Sequence, residues 1–138
     1  MEFGVVPIGT VPGRPLLNRT VIEVVIGVFY ALGAGGQALW ILPRGQKFYE
    51  DMADRAWLPL SQVLIEKVLV PNSATVTVLA AIFEAAVAIA ILTGGAAVGP
   101  ALIAGGVFSI VGALIGSPGE TVFYGALAAL HFWLAAAH

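Results

Sequence analysis

Four stretches of the chain are long and apolar enough to cross a lipid bilayer as α-helices. They are residues 17–42, 73–93, 98–115 and 121–138. A crossing helix needs about 20 mostly apolar residues, because each residue advances the helix by about 1.5 Å through a hydrocarbon layer about 30 Å thick. The pattern therefore predicts an all-α protein with four transmembrane helices.

Short segments rich in glycine, proline and capping residues separate these stretches. In order they are LPRG at residues 42–45, VPNS at 70–73, TGGAAVGP at 93–100 and GSPGET at 116–121. Such residues end one helix and begin the next. Because the second and third connections are short, successive helices run antiparallel. We predict an up-and-down four-helix bundle with both chain termini on one membrane face.

The composition supports a membrane location. Of the 138 residues, 59% are hydrophobic and 10% are charged, and the mean hydropathy is +0.98. So few charges cannot form the polar surface of a water-soluble domain. The net charge of −2 comes without a cluster of lysine and arginine, which argues against a nucleic-acid partner. With no cysteine, the chain has no disulfide, thiolate nucleophile or iron–sulfur ligand.

Two segments lie outside the predicted helices. Residues 1–16 contain three prolines and three glycines, so we expect an extended tail, held against a partner chain or against its own bundle. The segment 43–71 carries eight charged residues, four of each sign, among apolar ones. From Ser61 to Val70 the apolar residues recur every three or four positions, which indicates a short amphipathic helix. This segment is either an interfacial element at the lipid headgroups or a plug over the bundle end.

Three polar side chains are predicted at similar depth inside the helices. Counted from the end of the bundle that carries the long loop, Glu84 lies about 16 Å inside, His131 about 15 Å and Tyr30 about 19 Å. Two roles are open for this set. The three side chains bind a polar head group such as that of a quinone, or pass a proton. Alternatively, a neutral Glu84 links two helices by a hydrogen bond, and this structural role is the one we favour over catalysis.

Other polar and small residues point to helix packing. Glu23 lies one turn from Arg19 and is expected to pair with it. Small residues repeat along the first and third helices, where they allow close approach of another helix: Gly27, Ala31 and Gly35, then Gly105, Ser109 and Gly112. With two histidines and no phosphate-binding loop after a strand, the sequence predicts neither a metal site nor a catalytic residue.

The order of these motifs resembles the DoxX-like family of small four-helix membrane proteins. The resemblance covers residues 19–136 and rests on GVFYALGAGGQAL in the first helix, FYEDMADRAWLPLSQVLIEKVLVPN in the loop and LAAIFEAAVAIAILTGG around Glu84. It implies a bundle that belongs to, or helps to assemble, a larger membrane oxidoreductase. Family members often carry a basic residue near the end of the first helix, where this chain has Gln37.

These observations lead to three expectations for function. The first is an accessory or assembly subunit of a larger, electron-transfer complex in a bacterial-type inner or plasma membrane, with the lipid bilayer and other membrane subunits as partners. The second is a stand-alone protein that binds a quinone or another lipid at Glu84, His131 and Tyr30. The third is a small proton-conducting or transport oligomer.

Overall fold

The computed structural model describes the backbone from Arg14 to His138 and the side chains from Asn18 onward. The described residues are helical with no strand, which confirms the predicted all-α class. The helices are α1 (Arg14–Gly36, continuing through a π-helical turn Gln37–Ile41 and Leu42–Arg44), α2 (Gln46–Arg55), α3 (Pro59–Leu64, continuing through a π-helical turn Ile65–Leu69), α4 (Ser73–Thr93), α5 (Val98–Ile115) and α6 (Pro118–Ala135).

The helix boundaries differ slightly from the predicted ones. The first helix begins at Arg14, which places Pro15 in its first turn. The N–H groups of a first turn have no partner within the helix, so a proline there costs no hydrogen bond. The rest of the predicted tail lies outside the described residues. The last helix begins at Pro118, before Thr121. Its start is stabilised by a capping box, in which Glu120 N donates to Ser117 Oγ at 3.3 Å and Ser117 N donates to Glu120 Oε1 at 2.8 Å.

Three helical stretches are long and apolar enough to cross a membrane: Asn18–Arg44, Ser73–Thr93 and Gly95–Ile115. Their outer faces carry large apolar side chains that are more than half exposed, including Val25, Leu32, Ile82 and Ile103. Such a surface is typical of helices surrounded by lipid. Helix α6 is not among the three, and it carries Glu120, Thr121 and His131 along its length.

The long helices pack as two antiparallel pairs, α1 with α4 and α5 with α6. A tight turn joins the pairs, and Gly94 and Gly95 take positive φ angles of 78° and 84° there, a conformation that side chains other than glycine rarely adopt. The backbones of α1 and α6 approach less closely than those of the other neighbouring helices. Side chains bridge this gap, for example Phe29 and Phe123 with ring centroids 6.4 Å apart.

Residues 46–69, hereafter the cap segment, cover one end of the bundle. Tyr49, Ala53, Ala56 and Ile65 form a separate buried core there. Tyr49 Oη lies 2.7 Å from Thr77 Oγ1 of α4, and Trp57 Nε1 donates to Thr121 Oγ1 of α6 at 2.9 Å. The short amphipathic helix predicted at 61–70 is present and begins at Pro59. It lies across the end of the bundle as part of the cap segment.

The expected pair between Arg19 and Glu23 is replaced by other contacts. Glu23 Oε2 lies 2.7 Å from Nε2 of His138, and the Arg19 guanidinium lies 4.3 Å from the ring centroid of Trp133. Both contacts join α1 to the end of the chain. The helix spacing alone predicted a local pair, whereas in the folded chain Glu23 contacts His138 and Arg19 contacts Trp133.

Candidate functional site

Glu84 lies on the inward face of α4, in line with the buried residues Thr77, Val87 and Ile91. Its side chain is 6% exposed and points at Gly33 of α1. A Cβ atom at position 33 would overlap Glu84 Oε1. The missing side chain of Gly33 is therefore what allows the carboxyl group to lie between the two helices.

Gln37 is the hydrogen-bond partner of this carboxyl. Gln37 Nε2 donates to Glu84 Oε2 at 3.2 Å. Gln37 begins the π-helical turn of α1, a widened turn of a type that often occurs at functional sites. Its Oε1 is buried and has no hydrogen-bond partner in the described part of the chain. An unpaired buried acceptor is costly, so it indicates a position where a ligand or water donates a hydrogen bond.

Tyr30 and His131 form a second polar pair. Nδ1 of His131 lies 2.7 Å from the Leu127 carbonyl oxygen, which only accepts, so this nitrogen carries a proton. In a neutral ring, Nε2 then accepts from the Tyr30 hydroxyl at 2.9 Å. In a protonated ring Nε2 donates to Tyr30, whose hydroxyl donates to the Gly105 carbonyl oxygen at 3.1 Å. The network is therefore hydrogen-bonded in both protonation states of His131.

The structure brings two of the three predicted residues into direct contact. Tyr30 and His131 are hydrogen-bonded, whereas Glu84 is bonded to Gln37 and not to His131. The three residues predicted at similar depth therefore form two separate hydrogen-bonded pairs, and Gln37 joins the set. The similar depth of the three residues gave no information on how each helix is rotated about its axis. His131 of α6 contacts Tyr30 of α1 and lies beside Gly105 of α5, away from the Glu84 carboxyl. The sequence drew attention to Gln37 only as a departure from the family pattern.

A first cavity of about 260 Å³ brings Glu84 and Tyr30 together. It is lined from all four long helices by Phe29, Tyr30, Gly33, Gly36, Gln37, Trp40, Ile41, Glu84, Phe108, Ser109, Tyr124 and Leu127. At its rim Trp40 is 65% exposed and Phe29 is 40% exposed, on the outer surface of α1. The cavity therefore leads from Glu84 toward the lipid-facing gap between α1 and α6.

An apolar groove borders the first cavity along the same gap. It has a volume of about 240 Å³ and shares Phe29 and Leu127 with the cavity. Its other lining residues are Val21, Ile22, Val25, Ile26, Phe123 and Leu130. The groove offers only apolar contacts, which suits a hydrocarbon chain.

A second cavity, of about 300 Å³, lies beneath the cap segment. It shares Gln37, Ile41, Glu84, Phe108 and Tyr124 with the first cavity. At its far end are Arg55 and Glu120, whose side chains approach to 3.8 Å. Tyr49 also lines it, and burial raises the pKa of the Tyr49 hydroxyl, which therefore stays protonated at neutral pH.

The small residues predicted to pack helices lie in different surroundings. Cβ atoms added at Gly27, Gly105 and Gly112 would lie 2.7, 2.7 and 3.1 Å from Leu92, His131 and Tyr124 respectively. Ser109 is buried and donates to the Gly105 carbonyl oxygen at 2.9 Å. Ala31 is exposed, and a Cβ at Gly35 would meet nothing within 4 Å. The row of small residues on α1 therefore packs against α4 at Gly27 and has no neighbour at Gly35.

Among the described residues, no cluster of three or more histidine, aspartate or glutamate side chains is suited to hold a metal ion. Comparisons with known proteins yield no matching family model, no matching curated protein and no matching solved structure. The function is therefore inferred from the geometry of the site itself.

Proposed function

We propose that the chain is an integral membrane protein in which α6 is the fourth crossing helix. The packing of α6 on α5 supports this fourth crossing. Each helix has 18 residues, and the two are in contact near both ends. Thr121 Oγ1 donates to the Ala113 carbonyl oxygen at 2.6 Å, and a Cβ at Gly99 would lie 3.1 Å from His138. A helix of equal length beside a membrane-crossing neighbour covers the same depth. With four crossings both termini lie on one face.

The function that this site supports best is binding of a lipid-soluble molecule with a hydrogen-bonding head group and an apolar tail. The observation that carries the proposal is that the first cavity and the apolar groove lie side by side and share Phe29 and Leu127. The cavity is lined by Glu84 and Gln37, which bring a carboxyl and an amide group to it, and the groove has no polar side chain. A head group in the cavity leaves its tail in the gap between α1 and α6.

A quinone or quinol matches this arrangement. A protonated Glu84 donates to a carbonyl oxygen, and Gln37 Oε1 accepts from a hydroxyl group. The aromatic side chains of Phe29, Trp40 and Phe108 supply flat apolar walls for a ring. Glu84 thus has the ligand-binding role that was the alternative to a purely structural one.

Fluorescence of Trp40 tests this proposal, because its side chain lines the first cavity. A variant with Trp57→Phe and Trp133→Phe retains Trp40 as the single tryptophan. In lipid nanodiscs, a quinone with a short tail should quench its emission saturably. Gly36→Leu should weaken binding about tenfold or more, or roughly 1.4 kcal/mol, because Gly36 lines the cavity and a Cβ there meets no neighbour within 4 Å.

Gly125→Leu is the matched control. Gly125 is an exposed helix glycine with no neighbour within 4 Å of a Cβ, and it lines none of the three cavities. Its substitution should leave the quinone titration unchanged. Non-saturating quenching, equal in the two glycine variants, would reject a site at Glu84.

A second candidate follows from the resemblance to DoxX-like proteins, namely an accessory subunit of an electron-transfer complex. The open small-residue face of α1 at Ala31 and Gly35 supports it, since such a face admits a helix of another chain. The two candidates are compatible, because a quinone is a substrate of such complexes. Isolation from native membranes in mild detergent as a lone, colourless chain would count against the subunit role.

A further inference from the structure

Glu84 lines both the first and the second cavity, and the first leads toward the gap between α1 and α6. We propose that Glu84 exchanges its proton with water through the second cavity, from the cap end of the bundle, and presents that proton to the ligand in the first cavity. This inference rests on the proposed ligand site and adds a one-sided proton supply to it.

The second cavity has the size and the polar groups that a water chain requires. Its volume of about 300 Å³ accommodates several water molecules. Polar side chains recur along its length: Glu84, Gln37, Tyr49, Tyr124, Glu120 and Arg55. Water in a cavity is held by two to four polar partners, and these side chains offer them from the buried carboxyl to the far end.

The far end of the cavity lies at the bundle end covered by the cap segment, beside charged and partly exposed side chains. The Arg55 and Glu120 side chains are 47% and 41% exposed and come from α2 and α6. The second carboxyl oxygen of Glu120 is held by Ser117 N at 2.8 Å, which fixes the group at the helix start. Charged, half-exposed groups at this end favour entry of water, and their separation of 3.8 Å is too long for a tight hydrogen bond.

The opposite end of the bundle is closed by apolar packing. Between Glu84 and the connection of α4 to α5, the interior is filled by the main hydrophobic core, which includes Ile26, Val87, Ile91, Leu102 and Leu134. Apart from Ile26, which lies beside the apolar groove, these residues line none of the three cavities. The described structure therefore provides a polar route to Glu84 from the cap end and an apolar barrier on the other side.

Hydrogen–deuterium exchange of the Glu84 carboxyl tests the route without any ligand. In the exchange a water deuteron replaces the carboxyl proton and the proton leaves in HDO, so charge and atoms are conserved. Infrared spectroscopy in nanodiscs follows the carbonyl stretch of the protonated carboxyl, which Glu84→Gln identifies by removing it. Ala80→Leu fills the second cavity and should slow exchange about tenfold or more.

Val76→Phe, one turn nearer the cap, provides a second obstruction should the first variant fail to fold. Gly36→Leu obstructs the first cavity instead and should leave the exchange rate unchanged. Equal exchange in the wild type and both second-cavity variants, or slow exchange in Gly36→Leu alone, would overturn the route. The lack of a protonated Glu84 band from mildly acidic to neutral pH would overturn it as well.

Failure of this inference is distinguishable from failure of the proposed function. Saturable quenching of Trp40, together with an exchange rate of the Glu84 carboxyl that Ala80→Leu does not change, would retain the ligand site and reject the proton route. Exchange slowed by Ala80→Leu without any quinone binding would retain the route and reject the ligand.

Discussion

The position of Glu84 depends on a residue that has no side chain. Gly33 lets the carboxyl enter the interface between α1 and α4, where Gln37 Nε2 reaches it at 3.2 Å. A carboxyl group at this depth is costly unless it is neutral, paired or hydrated. The glycine, the amide partner and the two cavities together account for its presence in an otherwise apolar helix.

Two glycine-to-alanine substitutions on α1 should affect stability differently. Gly33→Ala forces Glu84 aside and should lower the free energy of unfolding by about 1–3 kcal/mol. Gly36→Ala meets no atom within 4 Å and should be neutral or stabilising by up to about 1 kcal/mol, since alanine favours a helix over glycine. Thermal unfolding in one detergent compares them.

A Glu84→Ala background provides the control for this comparison. The cost of Gly33→Ala should shrink there, because the group that it displaces is gone. An equal cost in both backgrounds would contradict the assigned contact.

The cap segment has two faces with different surroundings. Its inner face carries Tyr49, Ala53 and Ile65 in a buried core, and its outer face exposes Leu60, Val63 and Leu64. The sequence left two alternatives for this segment, a plug over the bundle and an element at the lipid headgroups. The inner face matches the first alternative, and the exposed apolar outer face is compatible with the second. Its packing over the bundle is observed, and contact of its outer face with lipid headgroups stays a prediction.

Trp57 reports on the outer face, because it is 52% exposed while its Nε1 is tied to Thr121. In a variant with Trp40→Phe and Trp133→Phe, lipids brominated near the headgroup should quench Trp57 more strongly than lipids brominated near the chain end. This order follows from the preference of tryptophan for the membrane interface. Quenching by aqueous acrylamide with no effect of either lipid would indicate a cap in water.

At the scale of the whole molecule, α6 acquires its position from its neighbour rather than from its composition. It is not apolar enough to be recognised as a membrane span by itself. Its buried His131 and half-buried Tyr124 face the bundle, while Val122 and Phe123 are more than half exposed. Polar residues directed inward lower the mean hydropathy of the helix without placing those residues in lipid.

Labelling of single cysteines tests the proposed fourth crossing, and the chain has no cysteine of its own. Gly119→Cys and Ala137→Cys lie near the two ends of α6 at exposed positions. In sealed vesicles of one orientation, an impermeant maleimide should label one of them from outside and the other only after permeabilisation. Gln46→Cys at the cap should behave as Gly119→Cys does. Labelling of both α6 positions from the same face would leave three crossings.

The sequence by itself determined the helical class, the limits of the four long helices to within a few residues and the positions of Tyr30, Glu84 and His131 along them, but it did not predict α2 (Gln46–Arg55). These properties are local, because apolar runs, caps and a constant rise per residue fix them. The choice of partners was not local. The pairing of Glu84 with Gln37 and of Tyr30 with His131 depends on rotation about each helix axis and on how closely α1 and α4 approach at Gly33. Only the packed bundle decided those, and with them the two cavities that meet at Glu84.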